Sequence, residues 1–272
     1  MQLRAQGLSR NERTALKLRS PSGRKCENGR RMEEPEPLEP AGDTGSTTYP
    51  FAVWSPWIAL AGAVVALLAG LIISLPFILA ENPGGTGQDL SLLAKVATQI
   101  STGIGFIIVP IALASHYGGG LRASMRRLGF VSFKPSSAAK WIGAGILSYF
   151  AFAIVYAAVF GRPEQDDIAG DFGPIGLQIL LIVFLAPFAE EICFRGMLFG
   201  GLRTRLPLWA AALGAGLFFG MLHYSSGPTA VPSLIVLGVI FAVVYEKTRS
   251  LWPPIMMHVF NNALALTVIT SS

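Results

Sequence analysis

A chain of 272 residues in which 52% are hydrophobic and only 14% are charged is unlike an ordinary soluble domain, which carries about 25% charged residues. The charges are also uneven, because 16 of the 37 lie before residue 44 and long stretches of the remainder carry none. The net charge of +5 does not indicate nucleic-acid binding, because the basic residues lie in loops beside apolar segments, where membrane orientation accounts for them. The composition therefore predicts a multi-pass membrane protein with a polar N-terminal tail.

The N-terminal tail, residues 1–50, is predicted to be disordered and cytoplasmic. It is rich in Arg, Glu, Pro, Gly and Ser and has neither helical nor strand periodicity. No apolar run follows its early basic residues, as it would in a cleaved signal peptide. Met32 stands where the tail changes from basic to acidic, so one hypothesis is that translation starts there.

From Trp57 onward, apolar segments alternate with short polar loops, and we predict an all-α transmembrane domain over residues 51–272. A membrane-spanning helix needs about 20 apolar residues. The predicted spans cover residues 57–80, 92–115, 141–160, 175–203, 207–224, 232–246 and 252–270. A broken or re-entrant piece would make an eighth, so the expected fold is a polytopic helical bundle of seven to eight spans.

The charges of the loops predict the orientation of these spans. The loop from His116 to Lys140 is basic and carries no acidic residue, and the loops after the fourth and sixth spans carry further arginine and lysine. The loops between them are acidic or nearly free of basic residues. Because basic loops face the cytoplasm, the N-terminus is expected to be cytoplasmic and the C-terminus external.

The fourth span is interrupted by the sequence AEEICFRG, which carries three ionisable residues. In a helix, residues i and i+4 share a face while neighbours point about 100° apart. Glu191 and Arg195 are therefore expected to pair, and Glu190 is left without a local cation. Pro187 removes a backbone hydrogen bond to Val183, which favours a kink or a water-accessible gap. A charge at bilayer depth costs about 2.5–3.5 kcal/mol, so a spare carboxylate there is a candidate functional group. The alternative is a structural ion pair with the spare carboxylate in a polar cavity.

Two histidines lie in later apolar spans, each with a partner four residues away. Phe219 precedes His223, and Asn262 follows His258, so the members of each pair share one helical face. Either histidine alone is more often a hydrogen-bonded packing residue than a catalyst. Together with Glu190, they indicate a carboxylate, two imidazoles and an amide around one cavity.

This set of groups permits two chemistries. In the first, Glu190 accepts a proton from a water that attacks a carbonyl, a histidine orients the water, and donors such as Asn262 stabilise the oxyanion. In the second, Glu190, His223 and His258 bind a divalent metal that activates the water. The sequence lacks H-E-x-x-H, so no familiar zinc motif supports the second chemistry.

The order EEICFR, then F-x-x-x-H, then H-x-x-x-N, all within apolar spans, resembles the CPBP family. That family comprises the CAAX-prenyl-protease and bacteriocin-processing intramembrane glutamic endopeptidases, also called the Abi family. The resemblance covers about residues 174–270, and no departure from the pattern occurs at the motif positions. It extends only loosely to the first three spans.

The resemblance implies a role for each motif residue. Glu190 would be the general base that activates the water, and His223 would hold that water. His258 and Asn262 would form the oxyanion hole. The residues expected to support them are Glu191, Arg195 and Phe219. No metal or cofactor is implied.

The predicted function is therefore hydrolysis of a peptide bond by an intramembrane endopeptidase. We expect a bacterial inner-membrane enzyme. Its substrate is expected to be a peptide or protein, including a membrane-associated one, and need not be prenylated. The alternatives are a metal-dependent membrane protease, a non-catalytic binding or bacteriocin-immunity protein, and a transporter that uses Glu190 as a proton relay. A transporter would more often show an internal repeat of hydropathy, and none is visible between the two halves.

Overall fold

The computed structural model describes residues 49–81, 90–161, 172–224 and 227–271. The predicted disordered tail therefore lies outside the described residues, apart from its last two. Within the described ranges the chain forms helices and no strand. We number them α1 (Pro56–Glu81), α2 (Leu92–His116), α3 (Gly120–Arg127), α4 (Pro135–Phe160), α5 (Ile175–Arg203), α6 (Leu208–Leu222), α7 (Val231–Thr248) and α8 (Trp252–Ser271).

The helices confirm the predicted multi-pass helical bundle, with differences in the individual spans. The helices α1, α2, α4, α5 and α7, the last with the short turn before it, are long and apolar enough to cross a membrane. Helix α6 is apolar but has only 15 residues, which rise about 22 Å, less than the hydrocarbon thickness of about 30 Å. Helix α8 has 20 residues but carries prolines and polar side chains in its first half. The basic loop that follows α2 contains the short helix α3, which the sequence analysis did not predict.

Helix α5 lies at the centre of the bundle. It contacts α1, α2, α6, α7 and α8, and every residue from Glu191 to Gly200 is buried. Helices α1 and α2 pack together, as do α6 and α7. Helix α4 lies on the outside against α7, and only Ala138 and Gly145 of α4 are buried. The ionisable residues of α5 are therefore enclosed by helices on most sides.

Helix α5 is not a regular α-helix. Residues Ile179–Leu185 and Ile192–Phe199 are π-helical, and Ala186–Glu191 between them is α-helical. The expected irregularity at Pro187 thus takes the form of a π-helical turn ahead of it. Short π-helical segments in α-helices are frequent at functional sites.

The residues before α1 form an extended strap, residues 49–55, that enters the bundle. Trp54 is buried to 1% exposure, and its Nε1 donates a hydrogen bond to the Met197 carbonyl at 2.9 Å. A Cβ on Gly201 would lie 2.7 Å from the Trp54 ring, so only glycine fits opposite it. The strap therefore packs directly on α5.

The start of the strap joins a polar network at the ends of α5 and α7. The Tyr49 hydroxyl donates to Glu246, and Arg203 donates to the same carboxylate through Nε at 2.9 Å and Nη2 at 3.0 Å. Burial raises the pKa of Tyr49, so its hydroxyl keeps the proton that it donates.

The loops that carry the basic residues meet at one end of the bundle, which we call the basic end. Lys140 and Lys247 lie over the ring of Trp141, at 5.4 Å and 5.3 Å from its centroid. The Leu251 N–H donates to the Gly129 carbonyl at 2.8 Å, which joins the loop after α3 to the loop before α8. Basic loops that lie far apart in the sequence are thus neighbours at one end of the bundle.

Candidate active site

Ionisable side chains from α5 and α8 meet at the centre of the bundle. Oε1 of Glu191 accepts a hydrogen bond from Arg195 Nη1 at 2.7 Å and another from His258 Nδ1 at 2.9 Å. The side chains of Glu191 and Arg195 are 0% exposed, and that of His258 is 3% exposed. The predicted pairing of Glu191 with Arg195 is confirmed, and it extends to a histidine on a second helix.

The surroundings of Arg195 compensate for the loss of water around its charge. Its Nη2 donates to the Gly238 carbonyl at 3.1 Å, and its guanidinium carbon lies 4.7 Å from the Phe219 ring centroid and 4.9 Å from that of Phe241. Aromatic faces attract a cation by their quadrupole, most strongly where water is excluded. A Cβ on Gly238 would lie 2.9 Å from Gly216 Cα, so a glycine is needed where α7 presents this carbonyl.

Glu190 is the less buried carboxylate of this cluster. Its side chain is 15% exposed, and its Oε2 lies 3.7 Å from His258 Nε2. This distance exceeds that of a hydrogen bond and leaves room for small movements of either group. Among the described residues, His258 is the one basic side chain at ion-pair distance from Glu190.

The bond between His258 and Glu191 restricts where a neutral imidazole can carry its proton. In a neutral imidazole, the bond to Glu191 requires the proton on Nδ1 and leaves Nε2 of His258 as an acceptor. A further proton on either the Glu190 carboxyl group or Nε2 would remove the repulsion between this acceptor and an ionised Glu190. With that proton, the two glutamates, Arg195 and His258 together carry no net charge. A neutral cluster is the least costly state in an apolar bundle.

His223 lies at the end of α6, one ring away from this cluster. Its Nδ1 lies 2.9 Å from the Phe219 carbonyl oxygen, and its ring lies 4.8 Å from the Phe219 ring. The His258 ring is 5.8 Å from the same Phe219 ring. By the predicted spans the two histidines lie near opposite membrane surfaces, but the short α6 brings both to one aromatic side chain. No hydrogen bond or ion pair joins His223 to Glu190 within the described part of the chain.

The amide of Asn262 contacts α5. Its Nδ2 donates to the Ile182 carbonyl at 3.0 Å, and its Oδ1 accepts from Asn261 Nδ2 at 3.3 Å. Asn262 therefore lies on the same face of α8 as His258, as predicted, but its donor binds the protein backbone.

Helix α7 contributes residues that the sequence analysis did not select. The Phe241 ring stacks on His258, with 4.6 Å between centroids and 28° between planes. With Gly238 it lines the side of the cluster opposite α5. Nothing in the sequence distinguishes a phenylalanine in an apolar span from an ordinary packing residue.

The arrangement also bears on the metal alternative. Over the residues that the structure describes, no group of three or more His, Cys, Asp or Glu side chains is placed to hold a metal ion. Glu190 and His258 approach each other, but no hydrogen bond or ion pair joins His223 to either of them among the described residues. The ligand set proposed for a metal is therefore not assembled there.

Comparisons with known proteins match the part of the chain that forms this site. Residues 173–264 match a family model described as "Type II CAAX prenyl endopeptidase Rce1-like". The chain is 27% identical over 125 residues to "Putative membrane peptidase YdiL" of Bacillus subtilis (strain 168). The aligned segment covers 45% of this chain and 48% of that protein. The chain is also 28% identical over 130 residues to "Uncharacterized 24.3 kDa protein" of Escherichia coli. That aligned segment covers 43% of this chain and 60% of the relative.

The matches thus span about half the length of these curated relatives, and no solved structure matches the chain. The matched segment contains every residue of the three motifs, from EEICFR to H-x-x-x-N.

Proposed function

Because residues 173–264 of this chain belong to the CPBP family, through its Rce1-like CAAX prenyl endopeptidase members, we propose that the protein is an intramembrane endopeptidase that uses a glutamate-activated water. The observation that carries the proposal is the approach of Glu190 Oε2 to His258 Nε2 at 3.7 Å in the centre of a membrane bundle. A carboxylate and an imidazole that share one proton form an acid–base pair for hydrolysis.

Glu190 is better suited than Glu191 to act as the general base. Oε1 of Glu191 is occupied by hydrogen bonds from Arg195 and His258, and its side chain is fully buried. Glu190 has no such bonds to any residue that the structure describes, and it is partly exposed. A water that approaches the cluster therefore reaches Glu190 first.

His258 supplies the proton donor of the reaction. When Glu190 is ionised, the proton of the pair lies on Nε2 of His258, which then donates to the oxygen of the scissile carbonyl as negative charge develops there. Glu191 holds the opposite ring nitrogen and so fixes the orientation of the imidazole, as a carboxylate does behind a catalytic histidine.

The proton taken from water is returned in the same cycle. The water oxygen forms a bond to the carbonyl carbon while one of its protons passes to Glu190. When the carbon–nitrogen bond breaks, Glu190 gives that proton to the leaving amine, and the cluster regains its neutral state. We propose that His223 holds water at the end of α6 through its Nε2, because its Nδ1 faces the Phe219 carbonyl.

The position of the site favours substrates that enter the membrane. Glu190 lies 13 residues from Arg203 at the basic end, about 20 Å along α5 and therefore well inside a hydrocarbon layer about 30 Å thick. We propose a membrane-associated peptide or protein as the substrate. We also propose the inner membrane of a bacterium as the location, with the N-terminus and the basic end on the cytoplasmic side.

The test is hydrolysis of a library of membrane-anchored peptides by the purified protein. Glu190→Gln keeps the shape of the side chain and removes the base, and it should lower turnover by a factor of about 10²–10⁴. Glu246→Gln, at the basic end, is the matched control for removing a partly buried carboxylate and should keep most of the turnover. Cleavage that persists with a chelator supports the glutamate mechanism, and cleavage lost with a chelator supports a metal.

A binding protein would give a different result. If the native protein cuts none of the peptides while a partner co-purifies equally with the native and Glu190→Gln proteins, the protease proposal is wrong.

A further inference from the structure

Pro187 leaves one carbonyl of α5 without a helical hydrogen bond. In the π-helical segment Ile179–Leu185, each carbonyl accepts from the N–H five residues ahead, and the Ala186 N–H accordingly goes to the Leu181 carbonyl. The next donor in this register would be residue 187, which is proline and has no N–H. The Ile182 carbonyl therefore lacks a donor from its own helix. The carbonyl predicted from the sequence to lose its donor is that of Val183, four residues before Pro187, which holds only for an α-helical register.

Asn262 supplies the missing donor from another helix. Its Nδ2 donates to the Ile182 oxygen at 3.0 Å, and its Oδ1 is held by Asn261 at 3.3 Å. A carbonyl without a donor in an apolar bundle is costly, because no water replaces the lost hydrogen bond. The contact therefore stabilises the π-helical turn relative to a regular α-helical turn.

The bond to Asn262 is one of two that join α8 to α5 around Pro187. On the C-terminal side of the proline, Glu191 accepts from His258, and on its N-terminal side Ile182 accepts from Asn262. The two α8 residues are four apart and share a face. The pair of bonds fixes α8 against the irregular part of α5 that carries the base.

We propose that Asn262 is a positioning residue whose amide replaces the N–H that Pro187 lacks and thereby holds Glu190 and His258 in register. Loss of this bond allows residues 179–185 to return toward an α-helical register, which rotates the residues after Pro187 relative to α8. The effect on turnover rests on the proposed protease function. The bond and its contribution to stability do not.

This role differs from that of an oxyanion donor in a way that Pro187 can test. If Asn262 acts on the Ile182 carbonyl, Pro187→Ala restores an N–H that can bond this carbonyl and makes the amide dispensable. If Asn262 instead donates to the substrate, its loss is equally severe with proline or alanine at position 187.

The experiment is a double-mutant cycle of Asn262→Ala and Pro187→Ala on the full chain in detergent, read by thermal unfolding and by peptide hydrolysis. Asn262→Ala should lower Tm by about 2–4 °C when Pro187 is present, and by clearly less when residue 187 is alanine. It should lower kcat/KM by about 100-fold, since misplacing catalytic groups by about 1 Å has that effect. The double variant should recover most of the lost kcat/KM. Asn262→Leu, which keeps the volume without a donor, should behave as Asn262→Ala does.

A second readout separates positioning from packing alone. A displaced Glu190–His258 pair changes the pH at which hydrolysis is fastest, and Pro187→Ala should restore that pH in the double variant. The control is Pro76→Ala, which removes an exposed proline from inside α1 and should not rescue Asn262→Ala.

Two outcomes overturn the inference. If Asn262→Ala lowers kcat and Tm equally with proline and with alanine at position 187, the bond to Ile182 does not have the proposed role. If Asn262→Ala lowers kcat alone, without a shift in the pH profile, Asn262 is an oxyanion donor. If the native protein hydrolyses no peptide, the protease proposal fails, and the Tm cycle still decides whether Asn262 replaces the missing N–H.

Discussion

Glu190 and Glu191 are adjacent and chemically identical, but their surroundings differ in every respect that matters for catalysis. One is fully buried and binds Arg195 and His258; the other is partly exposed and approaches only the imidazole. The difference follows from the angle of about 100° between neighbouring helical residues, which turns one side chain into the bundle and the other toward its accessible side. The surroundings of Glu191 suit a structural role, and those of Glu190 leave it the freedom that the proposed base needs.

This division predicts different effects of removing each charge. Glu191→Gln leaves the Arg195 guanidinium buried without its counter-charge and should reduce the free energy of unfolding by about 3–5 kcal/mol. Glu190→Gln removes no hydrogen bond within the described residues and should reduce it far less. Chemical unfolding of both variants in the same detergent measures the difference, and equal losses would contradict the assigned roles.

Part of this site could be predicted from the sequence because it is local. The pairing of Glu191 with Arg195 depends only on a spacing of four residues in a helix. The bond from His258 to Glu191 joins residues 67 positions apart, and no periodicity within either helix specifies which faces meet. The stacking of Phe241 on His258 was unpredictable for the same reason.

At the scale of elements, the site depends on how closely α6 and α7 approach. A Cβ on Gly220 would lie 2.8 Å from the Ile235 backbone nitrogen, and one on Gly216 would lie 2.9 Å from the Ile235 carbonyl oxygen. Small residues allow helices in a membrane to come this close. The approach places Phe219 of α6 and Phe241 of α7 on the same guanidinium.

Adding one methyl group should therefore separate these helices. In Gly238→Ala, the new Cβ would meet Gly216 Cα at 2.9 Å and Phe219 Cδ1 at 3.2 Å, and the overpacking should cost about 1–3 kcal/mol of stability. Turnover should fall as well, because Arg195 loses its aromatic contact. Gly143→Ala, where nothing lies within 4 Å, is the control and should be neutral or stabilising by up to about 1 kcal/mol. Thermal unfolding of both variants gives the comparison, and similar Tm values would refute the close-packing argument.

Some predicted elements differ from the observed ones, and the reasons can be identified. Hydropathy detects an apolar run but not its hydrogen-bond register, so the π-helical turns of α5 were predicted only as an irregularity at Pro187. The segment 207–224 was counted as a span because it is apolar throughout, although its helix ends at Leu222 after 15 residues.

At the scale of the whole molecule, the strap fixes the N-terminal end of α1 to the central helix. Trp54→Ala removes a buried ring and its bond to the Met197 carbonyl, and it should cost about 3–5 kcal/mol. Trp57 is 79% exposed on the outside of α1, so Trp57→Ala is the matched control and should have a small effect. Denaturant titration measures both, and a similar loss for the two tryptophans would show that the strap contributes little.

The orientation of the molecule is tested by chemical labelling from one side of the membrane. Arg205→Cys at the basic end should react with an impermeant thiol reagent only after cells are opened. Pro174→Cys, at the exposed opposite end of α5, should react in intact cells. Of the two native cysteines, Cys193 is buried and should not interfere, and Cys26 is replaced by serine in both variants. The reverse pattern would invert the orientation inferred from the loop charges.

The shortness of α6 has a consequence for the lipid around it. Its outward stripe, formed by Trp209, Leu213, Leu217 and Met221, is exposed along the whole helix, so acyl chains meet a hydrophobic wall about 8 Å shorter than their own layer. Lipids adapt to such a mismatch by compressing locally. Such thinning would lower the leaflet toward His223 and bring headgroups and their hydration closer to Glu190 and His258. Reconstitution in bilayers of increasing chain length should therefore slow hydrolysis progressively.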